Sequence, residues 1–410
     1  MGATKLRTTR FLKKKLAYFI QVISLRNVAY FNQVIFLNPF KSKMNPKMTS
    51  LVVWYTGNES SRYHTAFMII HFNIIIYAFC YWLNQPVFPF LSKSLGINTI
   101  QLGYLQSATS FFQLIGGPFI GRLCDTRGPR LAMLISQCAA MMTAILLSYA
   151  TSSMWLLASQ VPTLGLHCMH AAQAAITNLS PAENRVASLG RLSLSYGIGM
   201  VLGSAGGGYL AAATSFSTVA ACAALCSAMT IPINVLYFPN EIKENKKEVE
   251  GTSTSSGLNS MNAIFKLLAL PSLRRILVLQ ILVGVALSIQ RSSFSQVLQL
   301  RFNLTVQDIG ATMAIAAMVS IASNILIVPL LSKRLGNEKA LSCAMVALSI
   351  GFGLYSMVSS LSFLLILCVS LSMVSSLFYT LVSSEMTMAV SKDKTGIIKK
   401  FIIYFFMNVF

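Results

Sequence analysis

Length, composition and charge define the class of this protein. The chain has 410 residues, of which 55% are hydrophobic and only 10% are charged, and its mean hydropathy is +0.65. A soluble protein of this length carries about a quarter charged residues, so the composition excludes that class and indicates a polytopic membrane protein. The formal net charge of +21 lies mostly in the N-terminal segment and in short loops, which argues against a nucleic-acid-binding face.

The sequence carries no signature of a catalytic centre. No phosphate-binding glycine loop, dinucleotide fingerprint, zinc-protease motif or nucleophile elbow occurs in a suitable context. Four histidines and eleven carboxylates are few for a metal or hydrolytic site. The eight cysteines lie mostly in apolar segments, which is typical of small packing residues. We therefore expect no enzyme activity, no cofactor and no metal.

The first 64 residues form a basic segment. The run Lys13–Lys15 precedes an apolar stretch, residues 16–37, which is interrupted by polar side chains and lacks the small-residue cleavage site of a signal peptide. We predict a basic cytoplasmic tail, residues 1–64, that lies on the membrane surface and is attracted to anionic lipid. An origin in an upstream or wrongly assigned exon is the alternative.

Segments that can cross a bilayer follow from residue 65. A transmembrane helix needs about 20 apolar residues. We expect Pro86 and Pro89 to end the first span and Pro162 to kink the fourth. Ten segments in two groups, of six and of four, meet the length requirement: 65–85, 101–121, 131–150, 154–178, 189–213, 215–238, and then 275–299, 308–331, 340–358 and 361–383.

A hydrophilic segment separates the two groups of spans. It combines a mixed-charge run, Glu241–Glu250, with a Gly/Ser/Thr run, Gly251–Gly257, a composition typical of a solvated flexible linker. The predicted fold is an all-α membrane protein with six plus about four transmembrane helices. Its parts are the tail, an N-terminal six-helix bundle (65–238), a cytoplasmic linker (239–272), an incomplete C-terminal bundle (273–396) and an atypical hydrophobic tail (397–410).

Loop charges predict the orientation in the membrane. With the N-terminus in the cytoplasm, the loops on that side hold fourteen lysines and arginines, whereas the opposite loops hold only Lys93 and Arg301. This asymmetry follows the positive-inside rule. We expect a multi-pass protein of the plasma membrane, with the endoplasmic reticulum as the alternative.

A charged, glycine-rich stretch, residues 116–130, lies between the second and third spans. One acid and three arginines fit so close to hydrocarbon only at the water interface, so we predict a tight cytoplasmic loop. Gly121 would permit close helix approach, and Gly128 would permit a sharp backbone turn. Asp125 would cap a helix or pair with one of three arginines: Arg122, Arg127 or Arg130.

An internal repeat supports two related bundles. The segment Leu95–Gly103 parallels Phe302–Gly310, and each precedes a span. The segment Pro329–Gly336 is a weakened copy of Gly121–Gly128, with Lys333 at the position of Asp125. We expect Asp125 and its arginines to act as a cytoplasmic latch, which the second copy has lost.

These motifs resemble those of a known family. The pattern Gly-x-x-x-Asp-x-x-Gly-x-Arg, from Gly121 to Arg130, resembles the signature loop of the major facilitator superfamily. A second pattern, in the fifth span, resembles the family's antiporter signature. It consists of Gly199, Gly203, Gly207 and Gly208, together with Ser204 at the position where the signature has proline. Further blocks are similar to an organic cation transporter-like member of solute carrier family twenty-two, among them Phe90–Gly96, Gln113–Pro118 and Ile176–Ser180.

The resemblance implies a secondary active transporter of small organic solutes, organic cations and drugs, by alternating access and proton antiport. Its partners would be the lipid bilayer, the substrate and protons, with no nucleic acid. Two departures weaken proton coupling: Gln160 stands where the family commonly has arginine, and the first span carries no carboxylate. The family's last two helices find no match after Gly396. The alternative function is therefore a non-transporting truncated form or a membrane interaction or regulatory protein.

Polar side chains within the spans are candidates for substrate or coupling contacts. His167, His170 and Gln173 recur at a spacing of three and share a helix face, and histidine titrates near neutral pH. Arg291 lies inside the seventh span, where it needs a partner, a water-filled cavity or an anionic ligand group, unless it reaches the outer interface. Helix packing is the alternative for the other candidates, which also include Gln106, Gln113 and Asn324.

Overall fold

The computed structural model describes residues 58–180, 185–238 and 271–392, and every regular element in these ranges is a helix. The predicted basic tail, most of the linker and the hydrophobic C-terminal tail lie outside the described residues. All packing reported below lies within the compact unit that begins at His64. The N-terminal bundle contains α1 (Asn58–Asn84), α2 (Phe88–Ser94), α3 (Thr99–Arg127), α4 (Pro129–Ser148), α5 (Ser153–Ala158), α6 (Cys168–Leu179), α7 (Arg185–Ala213) and α8 (Phe216–Tyr237).

The C-terminal bundle follows residue 270. It contains α9 (Pro271–Phe302), α10 (Val306–Ala322), α11 (Val328–Leu335), α12 (Asn337–Ser356) and α13 (Leu361–Lys392), with a π-helical turn, Ser323–Ile327, between α10 and α11. Nine of the ten predicted spans thus lie on continuous helix within the described ranges, apart from a residue or two at their ends, and the fourth is divided. Seven stretches there are long and apolar enough to cross a membrane: Ala66–Ser94, Pro129–Ser148, Phe216–Tyr237, Val278–Phe302, Val306–Leu335, Asn337–Ser356 and Leu361–Val382.

The fourth predicted span is interrupted rather than continuous. A 3-10 turn, Val161–Gly165, separates α5 from α6 and has Pro162 in its first turn. Proline has no backbone N–H to donate and its ring clashes with the preceding helical turn, so the α-helical ladder ends there. The predicted kink at Pro162 is confirmed, and it is a full break of the helix.

The predicted loop over residues 116–130 is wrong in its extent. Helix α3 continues through Pro118 to Arg127, and the chain leaves the helix only at Gly128, where φ is 89°. Arginine is a good helix former, and cations in a last turn interact favourably with the helix dipole. The charges therefore extend the helix into the interface, and a single residue makes the turn.

The internal repeat is confirmed in the backbone. Gly128 joins α3 to α4 with φ 89° and ψ 161°, and Gly336 joins α11 to α12 with φ 75° and ψ 160°. Each parallel segment before a span forms a capping box, in which the cap side chain and the residue three positions later bond each other's backbone N–H. The pairs are Asn98 with Gln101 and Thr305 with Asp308.

The buried core is divided like the sequence. One apolar cluster draws its buried residues from Leu287 to Val382, in α9 to α13. Another draws them from Ile69 to Phe238, in the N-terminal bundle. A third cluster joins the two bundles, because Val306 of α10 packs with residues of α1, α4, α7 and α8. Each half therefore has its own core, and a seam that includes α7 and α10 connects them.

Candidate functional site

A cavity of about 470 Å³ lies at the seam between the two bundles. The N-terminal bundle contributes residues of α1 and α7, and the C-terminal bundle contributes residues of α9, α10, the π turn and α13. Its wall is amphipathic, with aromatic rings such as Trp82 and Phe294, amides such as Gln290 and Asn324, and a row of hydroxyls. A mostly apolar wall with a few convergent polar groups is typical of small-molecule sites.

Hydroxyl groups join α10 to α13 along one side of the cavity. The Ser376 hydroxyl donates to the Ser320 carbonyl over 3.2 Å, and the Ser320 hydroxyl lies 3.1 Å from the Ser372 carbonyl. Thr380 donates to the Asn324 side-chain oxygen over 2.8 Å, where Asn324 sits in the π turn. Because these hydroxyl protons bond within the wall, the hydroxyl oxygens retain lone pairs that can accept from a ligand.

The facing wall is built by α1 and α7. The Trp82 indole N–H donates to the Tyr196 hydroxyl over 3.1 Å, and Nδ1 of His71 lies 2.7 Å from the Ser195 hydroxyl. The first of these pairs lines the cavity. Since the Tyr196 oxygen accepts from Trp82, its own O–H proton can be donated to another acceptor.

Two of the predicted contact residues, Arg291 and Asn324, line the cavity. Arg291 is an exposed residue, and among the lining residues that the structure describes it is the charged one. Tyr196 of α7 and Tyr379 of α13 line the same cavity. The sequence expectation of a water-filled cavity or ligand contact for this residue therefore agrees with its position.

The histidine pair does not line this cavity. His167 precedes α6 as its N-cap residue and is 5% exposed, and the ring of half-buried His170 lies 4.9 Å away, centroid to centroid. His167 faces the glycine pair of α3: a methyl group added at Gly116 would lie 1.7 Å from the Leu164 carbonyl oxygen and 3.1 Å from Nε2 of His167. His167 thus lies at the break in the fourth span and His170 in the first turn of α6, and Gln173 likewise lies away from the cavity lining.

Three glutamines of the N-terminal bundle, Gln106, Gln113 and Gln160, lie outside the cavity lining. Gln106 donates to the Ser292 carbonyl over 3.3 Å and so joins α3 to α9 across the seam. Gln113 is half-buried on α3. Buried Gln160 accepts from Thr109 over 2.9 Å and donates to Ser159 over 2.8 Å, so this position holds an uncharged hydrogen-bond network.

The glycine pattern in α7 serves two different contacts. Added methyl groups at Gly199, Gly203 and Gly207 would lie 2.3, 2.4 and 2.0 Å from backbone oxygens of α1. The neighbouring face packs on α10, where a methyl group on Gly208 would lie 2.7 Å from the Val306 carbonyl oxygen. Ser204 is fully buried there and donates to the Met200 carbonyl of its own helix over 2.7 Å. The close packing predicted for these residues is therefore present.

Gly310 of α10 is a contact partner of α7 that the sequence did not predict. A methyl group on it would lie 2.5 Å from the Ser204 carbonyl oxygen and 2.9 Å from the Gly208 Cα. Its position in the repeat, equivalent to Gly103, was visible in the sequence. Nothing lies within 4 Å of a methyl group on Gly103, so the repeat alone does not reveal the contact.

The predicted gating residues lie at the junction of α3 and α4. Arg122, Asp125 and Arg127 are exposed on the last turns of α3. Nη2 of Arg130 lies 2.5 Å from the Val235 carbonyl near the end of α8, where a cation stabilises the helix C-terminus. The predicted close approach at Gly121 is wrong, since nothing lies within 4 Å of a methyl group there; on α3 that contact occurs at Gly116.

Comparisons with known proteins cover most of the chain and agree with one another. The family model described as Major Facilitator Superfamily matches residues 70–407. Human "Solute carrier family 67 member A1" is 31% identical over 296 residues, which cover 70% of each chain. Mouse "Solute carrier family 22 member 18" is 30% identical over 326 residues, 77% of this chain and 80% of that protein. The solved structure of the nucleoside transporter NupG covers 85% of this chain and 86% of its own at a TM-score of 0.61, and at 15% identity it shows the fold alone.

Proposed function

The chain belongs to the Major Facilitator Superfamily, and from this membership we propose that the cavity between its bundles carries small amphipathic organic solutes by alternating access. Membership itself makes the chain an integral multi-pass membrane protein and a secondary transporter of small solutes, not an enzyme. The observation that carries the proposal is the cavity at the seam. Both bundles contribute to its wall, so a rocking motion of one bundle against the other would open it.

The packing favours a state closed at one end. The end of α7 and the start of α10 are in tight contact at Gly208 and Gly310, whereas the cavity extends away from them to Gln280 and Thr380. The asymmetry of the loop charges supports an orientation with the contact end outside and the N-terminus in the cytoplasm. We therefore assign this conformation as closed to the outside.

The sequence resemblance implies organic cations and drugs as the finer substrate class, and two features of the cavity wall bear on it in opposite directions. Aromatic side chains of the wall, Trp82, Tyr196, Phe294 and Tyr379, support it, because aromatic faces attract cations. Arg291 opposes it, because a guanidinium on the wall repels a permanent cation. The aromatic wall and Arg291 are both compatible with an amphipathic organic solute that fits a cavity of about 470 Å³.

Proton antiport requires a titratable group, and the uncharged Gln160 does not supply one. We assign this role to the His167–His170 pair, because the two rings lie 4.9 Å apart beside the helix break. Two imidazoles at this distance titrate as a coupled unit. Their titratable neighbours include Tyr77 of α1, whose hydroxyl donates to the Leu166 carbonyl, and the thiol of Cys168, which adjoins His167 in the chain.

The experiment is transport by the purified full chain in proteoliposomes. We expect uptake of an amphipathic organic dye that an imposed pH gradient accelerates and a protonophore slows. The double variant His167→Gln/His170→Gln should lose the dependence on the gradient and keep downhill exchange, whereas His71→Gln, outside the pair, should keep both. Gradient-independent uptake by the wild type would refute antiport. A folded chain that moves no solute would refute transport and favour the non-transporting alternative.

A further inference from the structure

We propose that the solute carries an acidic group, of the carboxylate class, which Arg291 binds in the cavity. The solute is then an organic anion or a zwitterion rather than a permanent cation. This inference rests on the proposed function and specifies the ligand of the same site. It follows from where the hydrogen-bond donors and acceptors of the wall are placed.

The donors lie on the α7 and α9 side. Arg291 is exposed to the space of the cavity, and a guanidinium has five N–H donors in a planar fork that matches a carboxylate. A guanidinium can bond a protein group and a ligand together, because its five donors point in different directions.

Tyr196 adds a second donor beside this charge. Its hydroxyl oxygen accepts the Trp82 indole proton over 3.1 Å, which orients the hydroxyl and leaves its own proton for another acceptor. Arg291 and Tyr196 line the same cavity. An arginine and a phenol that converge on one region of a cavity provide charge-assisted hydrogen bonds for an anionic oxygen.

The acceptors lie on the α10 and α13 side. Ser320, Ser375, Ser376 and Thr380 donate their hydroxyl protons to groups of the wall, so their oxygens present lone pairs to the cavity. The described lining residues include no carboxylate. A cationic group would therefore find neutral acceptors and aromatic faces here, but no opposite charge. An acid group at Arg291 with a donor group at the serines would satisfy both walls.

The test uses two probes that differ in one group: a rhodamine dye with a free carboxyl, which is zwitterionic, and its methyl ester, which is a cation. Binding to the purified full chain is measured by fluorescence polarisation. We expect the free acid to bind about tenfold more tightly than the ester, the size of one charge-assisted interaction. Arg291→Gln should remove this preference, Arg291→Lys should restore part of it, and Arg301→Gln, at the exposed end of the same helix, should leave it unchanged.

Three results would overturn the inference in distinguishable ways. Tighter binding of the ester than of the acid by the wild type would show a cation site and leave the proposed function intact. If Arg291→Gln weakened the binding of both dyes equally and left the melting temperature unchanged, Arg291 would shape the cavity without recognising the acid group. Binding of neither dye to a folded wild-type chain would reject the cavity as a site for organic solutes, and the proposed function with it.

Discussion

Single glycines form the two junctions between the interfacial helices. Gly128 and Gly336 have φ of 89° and 75° with ψ near 160°, a region that essentially only glycine populates. The rest of the motif around them is ordinary helix. The requirement for glycine therefore belongs to one residue in each copy rather than to a loop.

A methyl group at this junction should be costly. We expect Gly128→Ala to destabilise the protein by about 1–3 kcal/mol, because alanine is strained at this φ and ψ, and to lower the melting temperature in detergent. Gly121→Ala is the matched control: it adds the same methyl group to helical backbone with nothing within 4 Å, where alanine is favoured by about 0.5–1 kcal/mol. Equal losses for the two variants would contradict this assignment.

Residue type alone predicted some contacts and not others. The glycines of α7 were identified from their spacing, because small residues on one face permit close helix approach. The shared face predicted for His167 and His170 is present, since their rings lie 4.9 Å apart, but this face lies outside the cavity lining. Spacing therefore predicts which side chains of one helix share a face, and not what that face meets.

At the scale of elements, α7 is the helix that links the two bundles. One face packs on α1 through Gly199, Gly203 and Gly207, and the adjacent face packs on α10 through Gly208. The replacement of the family's proline by Ser204 leaves this packing intact, since the serine is fully buried and bonds its own helix. The helix therefore retains close contact on two sides.

The α7–α10 contact should be sensitive to one methyl group. We expect Gly310→Ala to loosen the seam, because its methyl group would lie 2.5 Å from the Ser204 carbonyl oxygen and backbone must shift to admit it. A cysteine placed in the seam should then react faster with a membrane-impermeant thiol reagent added from outside.

Gly103→Ala is the control for this experiment, because Gly103 occupies the same position in the other half of the repeat and has open space around it. It should leave the labelling rate unchanged. If both variants changed the rate to the same extent, or neither did, the closed seam would not depend on contact at Gly310.

For the whole molecule, the question is how the two bundles exchange conformations. Helix α3 carries Asp125 on its last turn, while α11 carries Lys333 at the equivalent place. The two copies of the repeat thus have the same backbone and opposite charge. We propose that Asp125 stabilises one conformation of the two bundles. Because Lys333 stands at the equivalent position, only the N-terminal copy would then act as a latch.

Removing the charge should then act unequally on the two copies. We expect Asp125→Asn to shift the balance between the inward-accessible and outward-accessible states several-fold, about 1 kcal/mol, because it removes a charge-assisted interaction. Lys333→Asn should shift it less. The measurement compares labelling of single cysteines placed on either side of the cavity. Equal shifts, or none, would show that Asp125 is not a latch.

The sequence by itself determined the membrane class, the ten helical spans, the repeat and the glycine-rich helix. Each is encoded locally, in hydropathy, in capping residues or in small-residue spacing. The tertiary structure alone decided which side chains meet at the cavity: Arg291 and Asn324 are there, whereas His167, His170 and Gln113 are elsewhere. The physical reason is that membrane helices are apolar on all sides, so their pattern does not show which face meets a partner. Only packing between helices far apart in the chain sets their rotation.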